Sequence, residues 1–127
     1  MYDNDPFSQW LGIVRLEDGA GQSRLEMKIR PEMCNGFGIA HGGIAYALAD
    51  SALAFAANGH GRLALSISST ISYLKTAKVG DILTTDVEEL FLGRKNANYI
   101  VRVFNQEGQL IAILNGAVHR SEKLWKL

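Results

Sequence analysis

Residues 41 to 58, "HGGIAYALADSALAFAAN", limit what this chain can fold into more than any other stretch. The segment has no turn residue after Gly43, is rich in Ala and Leu and exceeds normal strand length, so a helix is predicted. Its surface is apolar nearly all round, and such a helix must be covered on most sides by the rest of the protein or by a partner. Within the longer run from Asn35 to Gly61, Asp50 is the one formally charged side chain. A mid-helix carboxylate competes with the backbone for hydrogen bonds and is costly to bury unpaired, so neither propensity nor packing explains it.

The cover for this helix is written on either side of it. Residues 11 to 30 read as a hairpin with "EDGAGQ" as its turn, followed by a clean alternation. Arg24, Glu26, Lys28 and Arg30 share one face and Leu25, Met27 and Ile29 the other. After "NGHGR" the period becomes two: Leu63, Leu65, Ile67, Ile71 and Tyr73 alternate with Ala64, Ser66, Ser68, Thr70 and Ser72. "KVGD" leads into "ILTTDVEELFL", "GRKNAN" into "YIVRVF", and "NQEG" into "QLIAILNGAVHR". The order is two strands, a helix and four strands, joined by short connections that favour antiparallel pairing. The expected class is α+β: a curved, mainly antiparallel sheet of five to six strands wrapped around one long central helix, in a single domain spanning 1–127.

Composition narrows the partners. Lys plus Arg and Asp plus Glu balance at 13 each, so no overall field attracts nucleic acid or an anionic membrane, and neither is expected as a partner. No run approaches the roughly 20 apolar residues that cross a bilayer. "MYDNDPFSQW" lacks the basic start and apolar core of a secretion signal, and a lone cysteine fits a reducing compartment; a cytoplasmic location is expected. Cys34 reads as a small packed hydrophobe rather than a nucleophile, and His60 and His119 form no ligand pattern with it, so no metal is expected.

The chemistry centres on the helix. If it starts near His41, the N–H groups around Gly42 and Gly43 lack intrahelical acceptors and sit at the positive end of the helix dipole. Such a site suits a carbonyl oxygen that becomes an oxyanion during acyl transfer. Asp50 could attack a carbonyl or activate a water; its bland alternative is a pair with Arg62 or His60. Gly42 and Asp50 are eight residues apart, about 12 Å along the axis, too far for both to act on one carbonyl. Two antiparallel helices across a two-fold axis would bring the start of one near the middle of the other, giving two composite sites.

The stretch "NGFGIAHGGIAYALAD", with "ISYLKTAKVGD" and the order of elements, resembles the hotdog-fold acyl-CoA thioesterases of the phenylacetate-pathway (PaaI-like) type, from about residue 30 to residue 119. That resemblance implies that the Gly42 N–H polarises a thioester carbonyl and that Asp50 of the opposing subunit is nucleophile or general base. It implies that His41 and Asn35 orient the thioester and the helix start, and that Ser66 holds the attacking water, with Ser68 or Ser51 as replacements. Gly43 would join the substrate contacts. The substrate would be an acyl-CoA, the assembly a homodimer or a homotetramer made of two dimers, and no cofactor would be needed. "GRK", with Arg94 and Lys95, together with Lys75 and Lys78, offers charge for the coenzyme A phosphates. Tyr46, Phe55 and Phe91 are candidates to line an acyl pocket. The rival readings are a non-catalytic acyl-CoA or acyl-carrier binding protein, which would not need Asp50, and a hotdog dehydratase or hydratase.

Overall fold

In the computed structural model, which describes residues 2–124, a short helix α1 (Pro6–Trp10) precedes the hairpin β1 (Val14–Gly19) and β2 (Gln22–Lys28). The long helix α2 (Gly42–Asn58) follows, and then β3 (Arg62–Tyr73), β4 (Ile82–Leu92), β5 (Asn96–Phe104) and β6 (Leu110–Leu124). All six strands form one sheet in the order β1-β2-β4-β5-β6-β3, with every neighbouring pair antiparallel. The expected order and architecture are therefore present.

The hairpin is shorter than the predicted span of 11 to 30. Leu11 and Ile13 are buried ahead of its first strand and Ile29 beyond its second, so these apolar residues serve the core from outside the ladder. In β2 the predicted alternation holds, with Leu25 and Met27 buried and Arg24 and Lys28 exposed. The sequence reading left α1 out. Its start is nonetheless encoded: Asp5 caps it by accepting a bond from the Ser8 N–H at 3.1 Å, and Pro6 stands at its first turn.

The concave face of the sheet presents Tyr99, Val101 and Val103 of β5 and Leu114 and Val118 of β6 to Leu48, Ala52, Leu53 and Ala56 of α2. The approach is close. A Cβ at Gly116 of β6 would lie 2.3 Å from Cδ1 of Leu53, so the helix can settle here only on a residue without a side chain. The sheet covers α2 incompletely. Tyr46, Ala47, Asp50 and Ala54 stay half-buried and Gly43 exposed, and their spacing of three and four residues makes them one stripe along the helix.

Strand β3 forms an edge of the sheet and pairs only with β6. A bulge between Ser66 and Ser68 shifts its register, and Leu65 and Ile67 are left 64% and 61% exposed. A long edge strand carrying exposed apolar side chains is a ready template for another chain. Among the described residues, no helix is long and apolar enough to cross a membrane.

Ser23 of β2 is buried, and its hydroxyl is the one buried side-chain polar atom without a hydrogen-bond partner among the described residues. Removing a buried, unpartnered hydroxyl relieves a desolvation penalty. Ser23→Ala is expected to hold or raise stability by up to about 1 kcal/mol in urea unfolding, and a loss of that size would contradict the packing described.

Candidate active site

Asp50 opens into a cavity of about 710 Å³ lined by α2, the start of β3 and the N-terminal segment, including Leu53, Ala54, Leu63, Leu65, Ser66, Val118 and Phe7. Burial raises the Asp50 pKa above its ordinary value of 3.8, and a hydrogen bond from the Ser66 hydroxyl opposes that rise. The basic residues that could have neutralised Asp50 are engaged elsewhere. His60 Nε2 lies 2.7 Å from Glu89 Oε2, whose same oxygen accepts the Tyr99 hydroxyl proton at 2.8 Å. The Arg62 guanidinium donates to the carbonyls of Ser121, Arg94 and Arg120. Asp50 is thus a half-buried carboxylate with a serine partner and, among the described residues, no ion pair.

Asn58, the last residue of α2, sets the spacing between Asp50 and Ser66. Its Nδ2 donates to the carbonyls of Ala54 and Ala64, and its Oδ1 accepts the Ala64 N–H at 3.0 Å. One buried amide therefore ties the helix end to the strand two residues before Ser66. The sequence reading passed over it. Asn just before a Gly-rich turn reads as a helix stop, and only the strand opposite gives it this second role.

The start of α2 lies at the other end of the element. His41 precedes the first turn with an exposed ring that makes no capping bond, and its carbonyl accepts the Ile44 N–H at 2.9 Å. The Tyr73 hydroxyl donates to the Gly42 carbonyl at 3.0 Å, and a Cβ on Gly42 would come within 2.9 Å of the Tyr73 ring. At Gly43 a Cβ would meet nothing within 4 Å. Gly42 thus admits the tyrosine, while Gly43 keeps the first turn open to the outside on the Asp50 stripe. Asn35 is exposed and holds its own loop, its Oδ1 accepting the N–H groups of Phe37 and Ile39 at 2.9 and 3.2 Å. His41 and Gly42 line a separate cavity of about 170 Å³ with Tyr73 and Lys75.

The fold therefore gathers Asp50 and Ser66 in one place and His41, Gly42 and Gly43 in another, about 12 Å away at the helical rise. Ser68 is exposed on the far side of the bulge, and Ser51 is buried against Ser8 at 2.9 Å. The Tyr46 hydroxyl bonds Ser69, Phe55 is in the core and Phe91 is exposed; none of the three lines the Asp50 cavity. Among the described residues its aromatic ring is Phe7 instead, in the N-terminal stretch that at the level of sequence only argued against a secretion signal. Arg94 and Lys95 are exposed in the β4–β5 turn, whose carbonyls are held by Arg62 of β3 and Arg120 of β6. Lys75 lies at the opposite end beside His41. Cys34 is half-buried, its Sγ 3.7 Å from the Arg30 carbonyl.

Comparison with known proteins identifies the family and the fold. The profile of the thioesterase superfamily matches residues 37–112. The chain is 41% identical over 120 residues to a putative esterase of Archaeoglobus fulgidus, covering 94% of this chain and 78% of that protein. It is 32% identical over 120 residues to the acyl-coenzyme A thioesterase PaaI of Escherichia coli, covering 94% of this chain and 86% of that one. The solved structure of E. coli PaaI, from the phenylacetic acid degradation operon, superimposes with a TM-score of 0.95 at 31% identity, covering 98% of this chain and 90% of that one. The chain belongs to the thioesterase superfamily and has the hotdog fold. It is an enzyme of the thioester hydrolase class.

Because burial disfavours the ionised form, the folded chain keeps the Asp50 proton to higher pH than the unfolded chain does. Asp50 weakens the fold as the pH rises past 3.8, and the full cost is present above its raised pKa. Asp50→Asn is accordingly expected to melt a few degrees above wild type at neutral pH, with the gap closing as the pH falls through that raised pKa. Melting curves across the acidic range check this. An Asn variant that melts lower at neutral pH, or a gap independent of pH, would contradict it.

Proposed function

We propose that the chain hydrolyses acyl-CoA thioesters at a site shared between two copies, with Asp50 of one copy facing the open first turn of α2 in the other. The single observation that carries this is the placement of Asp50: a half-buried carboxylate with no cation beside it among the described residues, on the same uncovered stripe as Gly43, yet too far along the axis to share a carbonyl with its own helix start. The unpaired edge of β3, with Leu65 and Ile67 exposed beside the cavity, supports a second copy at that place. Coenzyme A as the carrier is supported by the named activity of PaaI and by a Streptococcus mutans structure bound to acetyl-CoA, which matches at a TM-score of 0.85 and 26% identity over 89% of this chain and 91% of that one. A non-catalytic binder has no use for Asp50, whose burial only costs stability.

In the mechanism we infer, the thioester carbonyl points at the first-turn N–H groups of Gly42 and Gly43, which take up its developing negative charge. Asp50 accepts a proton from a water as that water's oxygen bonds to the carbonyl carbon. Collapse of the adduct breaks the C–S bond, and the sulfur leaves as thiolate and is protonated to the thiol. A carboxylate with a raised pKa is the better base for such a step, and Ser66 holds it in place. Hydrolysis of an activated thioester along this route calls for no cofactor.

Asp50→Asn is expected to lower kcat about 10²- to 10⁴-fold in a thiol-release assay, the range general-base catalysis contributes. Gly43→Val fills the open space at the helix start without touching its own chain, and is expected to be inactive as well. Co-expressed, the two variants should recover about a quarter of wild-type activity, because half the dimers are mixed and each mixed dimer keeps one intact site of two. Full activity in a monomeric wild type, or no recovery in mixed dimers, would overturn the shared site.

A further inference from the structure

The cavity in front of Asp50 is closed on one side by Asn4, Asp5, Pro6 and Phe7, a wall built before the first strand. This wall is fastened to the catalytic helix. Ser8 spends its hydroxyl proton on Asp5 Oδ2 at 2.7 Å, so Ser51, 2.9 Å from Ser8, must be the donor of the next link. Further along, Arg30 donates to the carbonyls of Trp10 and Leu11 at 2.8 and 2.9 Å, and the Tyr2 hydroxyl donates to Ile13 at 2.7 Å. Phe7 itself is 54% exposed and stacks on Trp10 at 6.2 Å, so its ring contributes little to the core and is free to meet a ligand.

The charges of the cavity say which part of a substrate belongs there. Among the described residues its lining contains no Lys, Arg or His, but includes Asp5 and Asp50 among apolar side chains. Phosphates would be repelled, and the basic residues that could receive them, Arg94, Lys95 and Lys75, line other surfaces. We propose that the N-terminal segment is the acyl-selecting wall of this site: Phe7 sets the size and shape of the acyl group, and the negative charges of Asp5 and Asp50 around the same cavity restrict it to acyl groups without negative charge. The proposal rests on the thioesterase reading above.

The test is kcat/KM for acetyl-, hexanoyl-, adipyl- and phenylacetyl-CoA with the full chain. Hexanoyl and adipyl groups share a six-carbon chain and differ in a terminal carboxylate. Wild type is expected to favour hexanoyl over adipyl at least about tenfold, and Asp5→Asn, which keeps a good cap on α1, should narrow that ratio at least about threefold. Phe7→Ala should change the ratio of phenylacetyl to acetyl turnover about tenfold, chiefly through KM, with Phe7→Leu between it and wild type. If wild type hydrolyses none of the four, the thioesterase reading falls and this proposal with it. If wild type is active but Phe7→Ala and Phe7→Leu scale all four substrates alike, or hexanoyl and adipyl are used equally, the wall is wrong while the thioesterase reading stands.

Discussion

A helix that is apolar on nearly every side, set against a single sheet, is the constraint from which the other features follow. One curved sheet reaches around α2 only so far, and burying Leu48, Ala52, Leu53 and Ala56 against β5 and β6 leaves Gly43, Tyr46, Ala47, Asp50 and Ala54 facing away. The same sheet ends at β3, whose free edge carries Leu65 and Ile67 into solvent. Each of these is a cost for an isolated chain, through exposed apolar surface in one case and unpaired backbone groups in the other. Both lie on the side where the candidate catalytic residues stand.

The cost at Asp50 is of a different kind. The stripe is otherwise built of small and apolar side chains, and alanine there would suit both the helix and the packing. A carboxylate loses part of its hydration and gains a serine hydroxyl, which does not offset the rise in its pKa. Such a residue is a stability liability whose proton affinity is shifted in the direction a base at neutral pH needs. Asn58 shows how the arrangement is held: a buried amide links the end of the helix to the strand that delivers Ser66, so Asp50 and Ser66 meet through the rigid part of the fold rather than through a loop.

The order of elements and the dominant helix were legible because they rest on periodicity, which is local: Leu25 and Met27 of β2 alternate with charges, and residues 42 to 58 do not alternate at all. Asp50 was legible for the same reason, as the one residue that breaks a pattern. What escaped depends on contacts between distant segments. A register shift follows Ser66, Leu65 and Ile67 stand exposed at the sheet edge, and alternation alone announces neither. Gly42 reads as a clear approach for a ligand, yet its missing Cβ leaves room for Tyr73, a strand away, and Gly43 is the glycine left open. The aromatic side chains near the helix drew attention to Tyr46, Phe55 and Phe91, whereas the ring in the cavity comes from Phe7, some forty positions before Asp50 in the chain.

The N-terminal segment and the Asp50 carboxylate are coupled by the geometry of the helix itself. Neighbouring helical residues point about 100° apart, so the turn that aims Asp50 into the cavity aims Ser51 into the protein. There Ser51 meets Ser8, and Ser8 meets Asp5, which returns to the cavity as part of its wall. The chain of hydrogen bonds starts one residue from Asp50 and ends on the opposite side of the space that Asp50 faces. A shift of α1 therefore cannot widen the cavity without pulling on the same helical turn that orients Asp50. Loss of the Ser51 link would loosen the wall and the acid together, whereas a change at the exposed ring of Phe7 alters the wall alone.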